Sequence, residues 1–251
     1  MAFETHFERA LSLAYQNRLR ESIPHFLEAR KLAPRHPEFQ RTLFPILVTL
    51  LQEDAAVGGR SLPPLQEPLV SVIVPTRNRT RLLRDALESV TRQTYPKWEI
   101  VVVNDGGEPI VPVVHAFNGP IVAIDQKTGK GPAAARNAAI EAAKGDLLAF
   151  LDDDDIYRPG HLALLVEALR AGEAGFACTG VELVQETLSP GKRVETSRQR
   201  FMEGLRFTRA LLLVRNFVPI NSWGVRRDCW PAGGFDESLH YLEDWDLLLR
   251  L

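Results

Sequence analysis

Apolar residues recur at helical spacing at the start of the chain: Phe7, Ala10, Leu11 and Ala14, then Ile23, Phe26 and Leu27. This pattern predicts two short helices. Pro24 falls in an early turn of the second, where proline is tolerated, and the Ala33-Pro34 and His36-Pro37 pairs stop it. Phe39, Leu43, Leu47, Leu50 and Leu51 predict a third helix over residues 38–54, kinked at Pro45. Residues 55–68 carry glycines and prolines without periodicity and read as a linker. From residue 69 the pattern changes to short apolar runs separated by helical stretches. Leu69 to Val74 predicts a strand and Arg81 to Arg92 a helix. Glu99 to Val103 predicts a second strand and Pro120 to Ile124 a third. Ala133 to Ala143 reads as a helix, Leu147 to Leu151 as a fourth strand, and Pro159 to Ala171 as a further helix.

Near-continuous apolar strands alternating with helices indicate an α/β fold with a mainly parallel sheet flanked by helices. The domain plan is a helical segment at 1–54, a linker at 55–68 and an α/β domain at 69–251. In open sheets of this kind, ligands bind beyond the carboxyl ends of the strands. The loops at 75–79, 104–107 and 152–156 are therefore where chemistry is expected.

Composition narrows the picture. The 251 residues are 45% hydrophobic and 25% charged, an ordinary globular balance. No apolar run approaches the ~20 residues of a membrane span, and the first residues lack the basic and apolar segments of a signal peptide. A net charge of −2 does not suit a nucleic-acid-binding domain. Cys178 and Cys229 are too few for a disulfide framework or a four-cysteine zinc site, and fit inert thiols in a reducing cytosol.

At the fourth strand's end stand Asp152, Asp153, Asp154 and Asp155. If the chain stays extended there, Asp152 and Asp154 share a face roughly 6–7 Å apart. Hard oxygen ligands suit Mg²⁺ or Mn²⁺ bridging to phosphates. Asp105 ends the second strand and has two readings, an Asx turn with Gly106 and Gly107 or an acceptor for a nucleobase N–H. Gly129-Lys130-Gly131-Pro132 leads to Ala135-Arg136-Asn137, a loop opening a helix whose free N–H groups favour phosphate. It is neither a Walker A loop nor a dinucleotide fingerprint. Arg136 is open between a surface position and a diphosphate partner. Glu243 and Asp244 stand between helix-dipole partners and acid chemistry. His161 and His240 read as surface histidines.

Five blocks stand in order: Val70 to Asn78, Val103-Asn104-Asp105-Gly106-Gly107, Ala135-Arg136-Asn137, Phe150 to Asp155, and Gly233-Gly234-Phe235-Asp236-Glu237 followed by Glu243-Asp244. In order and spacing they resemble family 2 glycosyltransferases with the GT-A fold, over residue 69 to the last. The resemblance implies inverting transfer of a sugar from a UDP-, GDP- or dTDP-sugar, with Mn²⁺ or Mg²⁺. It implies nucleotide contacts from Pro75, Thr76, Arg77, Asp105, Arg136, Asp152 and Asp153, and metal contacts from Asp154 and Asp152. It implies Asp244 as general base, with Glu243 beside it. Asn104 departs from the aspartate that many members carry. Two rival readings are a sugar nucleotidyltransferase and a nucleotide-binding interaction module.

Ser22, Phe26, Ala29 and Pro34 resemble one helix of a tetratricopeptide repeat. A helical hairpin packed on its neighbour domain and a surface for a protein partner are the two readings, since stable arrays need about three repeats. Lys192, Arg193, Arg198, Arg200, Arg206, Arg209 and Arg215 form a locally basic stretch. It reads as a solvated loop and helix face, or as attraction to an anionic, lipid-linked acceptor at the inner face of a membrane. Asn221, Ser222 and Trp223 are candidates for the acceptor pocket. The chain stops at Leu251 inside a predicted helix, which reads as a shortened chain or as a small natural variant.

Overall fold

The computed structural model describes residues 2–15, 21, 25, 28, 29, 31, 32, 62–189, 192–201, 212 and 216–251. The tetratricopeptide-like hairpin falls largely outside the described residues, as do the predicted third helix and the first half of the linker. The chain divides into two compact units. In the smaller, helix α1 (Ala2–Tyr15) buries Phe7, Ala10 and Leu13.

The larger unit is built on β1 (Val70–Thr76), β2 (Trp98–Asn104), β3 (Ile121–Asp125), β4 (Leu147–Phe150), β5 (Phe176–Cys178) and β8 (Trp223–Arg226). These form one sheet in the order β3-β2-β1-β4-β8-β5. The first four are mutually parallel, and β8 runs antiparallel to both its neighbours. The apolar runs of β1, β2 and β4 are buried on both faces because helices cover them. The helices of this layer are α2 (Thr80–Thr91), α3 (Val111–Val114), α4 (Pro132–Ala142) and α5 (His161–Arg170); α6 (Glu243–Arg250) follows β8. α2 buries Leu83, Ala86, Leu87 and Val90 in one stripe, at the spacing of an amphipathic helix. The alanines of α4 let that helix lie close to β1 and β2.

Three features depart from the sequence reading. Residues 62–68 are pinned to the α/β unit: Leu62 and Leu65 donate backbone bonds to Gly172 and Arg170, and Tyr95 bonds the Pro68 carbonyl. Part of the basic stretch is a strand. β7 (Lys192–Phe201) pairs antiparallel with β6 (Val181–Ser189), and Arg198 is ion-paired to Glu182 and Glu195. His161 is buried, stacked on Tyr157 at 3.9 Å between ring centroids, with Nδ1 bonded to the Thr179 hydroxyl at 3.1 Å. Burial drops its pKa to about 4, so it is neutral at physiological pH. His240 is exposed, as expected.

Candidate active site

The register of the parallel strands brings their ends together. Thr76 lies opposite Asn104, and the amide of Asp105 bonds the Thr76 carbonyl at 2.9 Å. Leu151 donates to Ile73 as β4 runs out. Beyond it the chain turns, and the Asp155 amide bonds the Asp152 carbonyl at 3.1 Å. The expected alternation of Asp152 and Asp154 on one face therefore fails. A turn replaces the extended chain, with Asp152 directed to Arg136, Asp153 and Asp154 to Arg79, and Asp155 to Asn221.

Asp152 accepts from Arg136 Nη2 at 2.8 Å. Asp153 is buried; it accepts from the Thr76 hydroxyl at 2.7 Å and from Arg79 Nη1 at 3.2 Å. Burial pushes its carboxyl above the usual range, although Thr76 and Arg79 act in the opposite sense. Asp154 pairs with Arg79 at 2.8 Å and is half exposed. Asp155 accepts from Asn221 Nδ2 at 2.6 Å. Arg79 was not singled out in the sequence, yet it ties Asp153 to Asp154, and those carboxylates, Asp153 foremost, raise its own proton affinity. Its only signal was its place in the Thr-Arg-Asn-Arg turn closing β1.

Asp105 is also committed. One oxygen accepts from the Lys130 amide at 2.6 Å, the other from the Gly131 amide at 3.0 Å. Arg77, largely exposed, lies 3.9 Å from the same carboxylate. Asp105 thus latches the loop that opens α4. Gly106 is needed for this: its φ is +70°, and a Cβ there would meet the Gly129 amide nitrogen at 2.4 Å. Asn104 turns inward to Asp125 and to the carbonyls of Gly107 and Glu108. Pro75 is half-buried within β1.

Arg136 is buried, not a surface residue, at 5% exposure. Its Nη1 donates to Glu243 at 2.7 Å while Nη2 holds Asp152. Its guanidinium lies 5.5 Å from the centroid of the Phe235 ring. Burial alone would lower its proton affinity, but Asp152 and Glu243 outweigh that and raise it. Beside it, the Asn137 side chain brackets the Phe235 backbone, donating to its carbonyl and accepting from its amide, both at 2.9 Å. The Ala-Arg-Asn block is therefore the socket for the Gly-Gly-Phe-Asp-Glu turn and for the start of α6. Asp244 is partly exposed and accepts from the Trp245 amide at 2.7 Å. Leu242, just before the helix, is left-handed at φ 63°.

Asn221, Ser222 and Trp223 do not form one open pocket. Trp223 is fully buried against Phe150 and Phe176, and Ser222 is buried with its hydroxyl on the Pro219 carbonyl. The cause is that Trp223 opens β8, whose side chains lie inside the layer. Asn221 alone stays near the aspartates.

Among the described residues, no three His, Cys, Asp or Glu side chains converge on a point that could hold a metal ion. The donor chemistry still fits a hard divalent cation in part. Asp154 and Asp152 are oxygen ligands with side chains 49% and 35% exposed, and Mg²⁺-type sites take one or two carboxylates plus phosphates and water. Asp153 does not fit, since it is buried under Thr76 and Arg79.

Residues 71–229 match the family model "Glycosyl transferase family 2". The chain is 34% identical over 182 residues to "Uncharacterized glycosyltransferase YwdF" of Bacillus subtilis, covering 72% of this chain and 67% of that one. It is 30% identical over 198 residues to "Putative colanic acid biosynthesis glycosyl transferase WcaA" of Escherichia coli K12, covering 73% of this chain and 66% of that one. Among solved structures it resembles S. aureus TarS 1–349, with TM-score 0.51 and 23% identity over 72% of this chain and 54% of that one. It also resembles the mannosyltransferase PcManGT of Pyrobaculum calidifontis, solved with GDP-Man and Mn²⁺, with TM-score 0.52 and 21% identity over 85% of this chain and 60% of that one. These likenesses establish the mainly parallel GT-A-type sheet. The chain spans about two thirds of the two curated relatives' length and a little over half of the solved ones.

Proposed function

Because the chain belongs to glycosyl transferase family 2, we propose that it moves a sugar from a nucleoside diphosphate sugar to an acceptor hydroxyl, with inversion at the anomeric carbon. One observation carries the reading: a single buried guanidinium joins Asp152, at the strand end where nucleotides bind in such sheets, to Glu243 at the head of the helix bearing Asp244.

Asp244 is the general base. A hydroxyl is a weak nucleophile, and a carboxylate within hydrogen-bond reach takes its proton as its oxygen attacks the anomeric carbon. The bond from that carbon to the diphosphate oxygen breaks in the same displacement, which inverts the centre. Asp105 keeps lone pairs beyond the two used by the loop, enough to accept a base N–H. Thr76, Pro75, Arg77 and Asp153 line the nucleotide side through the β1 end. Asp154, with Asp152, would hold Mn²⁺ or Mg²⁺; when bound, such an ion offsets the charge gathering on the departing diphosphate.

The acceptor class we favour is a glycan or lipid-linked polysaccharide precursor, on the strength of the colanic acid relative's name. No helix among the described residues is long and apolar enough to cross a membrane. We propose a cytoplasmic enzyme, at times against a membrane face, which suits two cysteines that form no disulfide. Residues 69–251 would carry the activity and residues 1–54 a protein contact.

Asp244→Asn tests the base. It keeps nucleoside diphosphate affinity and loses turnover of the donor. Undiminished transfer in that variant would end the assignment.

A further inference from the structure

We propose that Arg136 is a positioning residue for the general base: its guanidinium clamps Glu243, and so the start of α6 with Asp244, to Asp152. The inference rests on the glycosyltransferase reading above and deepens it.

Three observations converge. First, Arg136 has little left to offer a diphosphate. It is 5% exposed, and each terminal nitrogen already donates to a carboxylate, at 2.7 and 2.8 Å. A phosphate would have to displace one of these carboxylates, and losing Arg136 would leave Glu243, which is buried, uncompensated. Second, the segment leading to the base needs holding. Leu242 is left-handed at φ 63°, a conformation that side chains other than glycine adopt only when the surroundings enforce it. Glu243 is the next residue, and Arg136 is its ion-pair partner. Third, the clamp has its own support. Asn137 brackets the Phe235 backbone, and the Phe235 ring lies 5.5 Å from the guanidinium.

Geometry gives the clamp its consequence. Asp152 lies on the nucleotide side and Glu243 precedes the base, so the separation of donor and base is set through one planar group that bridges the two carboxylates. Lysine carries the charge, but its ammonium is a single point on a flexible stem and does not fix two carboxylates at the spread of the guanidinium fork.

The test compares Arg136→Gln, Arg136→Lys and Glu243→Gln with the parent protein. Each is assayed for nucleoside diphosphate release from UDP-glucose, UDP-GlcNAc and GDP-mannose. UDP and GDP affinity and amide exchange over residues 243–250 are measured alongside. The clamp predicts that Arg136→Gln lowers kcat by about 100-fold, as misplacement of a reacting group does. Donor KM and UDP or GDP Kd stay within about threefold, and amide protection over 243–250 falls. Glu243→Gln reproduces that split, and Arg136→Lys restores part of kcat. The proposal is overturned if Arg136→Gln weakens Kd in step with kcat while protection over 243–250 is unchanged, because Arg136 then grips phosphate. It is equally overturned if kcat does not fall. Should Arg136→Gln fail to fold, Glu243→Gln and Arg136→Lys still give the kcat-against-KM comparison. If the parent binds no nucleoside diphosphate, the glycosyltransferase reading fails, and amide exchange in the variants still decides whether Arg136 holds the helix.

Discussion

Asp105→Ala separates two roles that one carboxylate carries. The side chain accepts the Lys130 and Gly131 amides at 2.6 and 3.0 Å. Bonds to a charged acceptor contribute about 1.5–3 kcal/mol each when buried. Here both lie where solvent has some access, so water replaces part of each, and about 1 kcal/mol per bond is the appropriate size. The variant should therefore lose about 2 kcal/mol. For a unit of this size that is a drop in Tm of about 4–8 °C by calorimetry or thermal-shift dye. Asp105→Asn keeps one acceptor oxygen and should fall about half as far. If Asp105 also receives a base N–H, the alanine variant loses a further factor of about ten in UDP or GDP affinity, measured well below its Tm. A Tm within about 1 °C of the parent would refute the latch, because two amides would have lost their partners at no cost.

Asp153→Asn should cost less stability at pH 7 than at pH 4. Burial raises the folded-state pKa of this carboxyl, so its favourable contribution is complete below the unfolded value and is lost as pH rises through the folded one. Denaturant titrations at both pH values check this, and a larger cost at pH 7 would contradict it. Glu99→Ala should destabilise by about 2–4 kcal/mol, since Glu99 Oε1 accepts from both the Ser71 hydroxyl and the Lys144 amide inside the fold. Urea unfolding measures that loss, and Glu99→Gln should recover most of it.

The strands were legible where they are buried on both faces. Val72 to Val74 and Ile100 to Val103 have no polar interruption because helices cover both sides. β8 was not legible: it has four residues and finds its register antiparallel between β4 and β5, a pairing that no local pattern announces. Short strands of this kind owe their place to tertiary packing more than to propensity. The identity of the aspartate cluster could be read, but its geometry could not. Whether four aspartates stay extended or turn depends on Thr76 and Arg79 waiting 74 to 77 residues away. Arg136 makes the same point, since its partner Glu243 lies 107 residues further along the chain. Its local sequence admits a surface residue or a phosphate ligand, and only folding reveals the bridge. Trp223 reads as a pocket candidate in sequence and is fully buried in the fold, because an aromatic after polar residues looks the same whether it opens a buried strand or lines a cleft.

The most direct measurement is equilibrium binding of UDP, GDP and dTDP to the full chain, each with and without Mn²⁺. The account predicts that at least one binds, that Mn²⁺ tightens it, and that Asp154→Ala abolishes the tightening. Binding that ignores Mn²⁺ in the parent would contradict the divalent site, and no binding by any of the three would contradict the nucleotide sugar site itself.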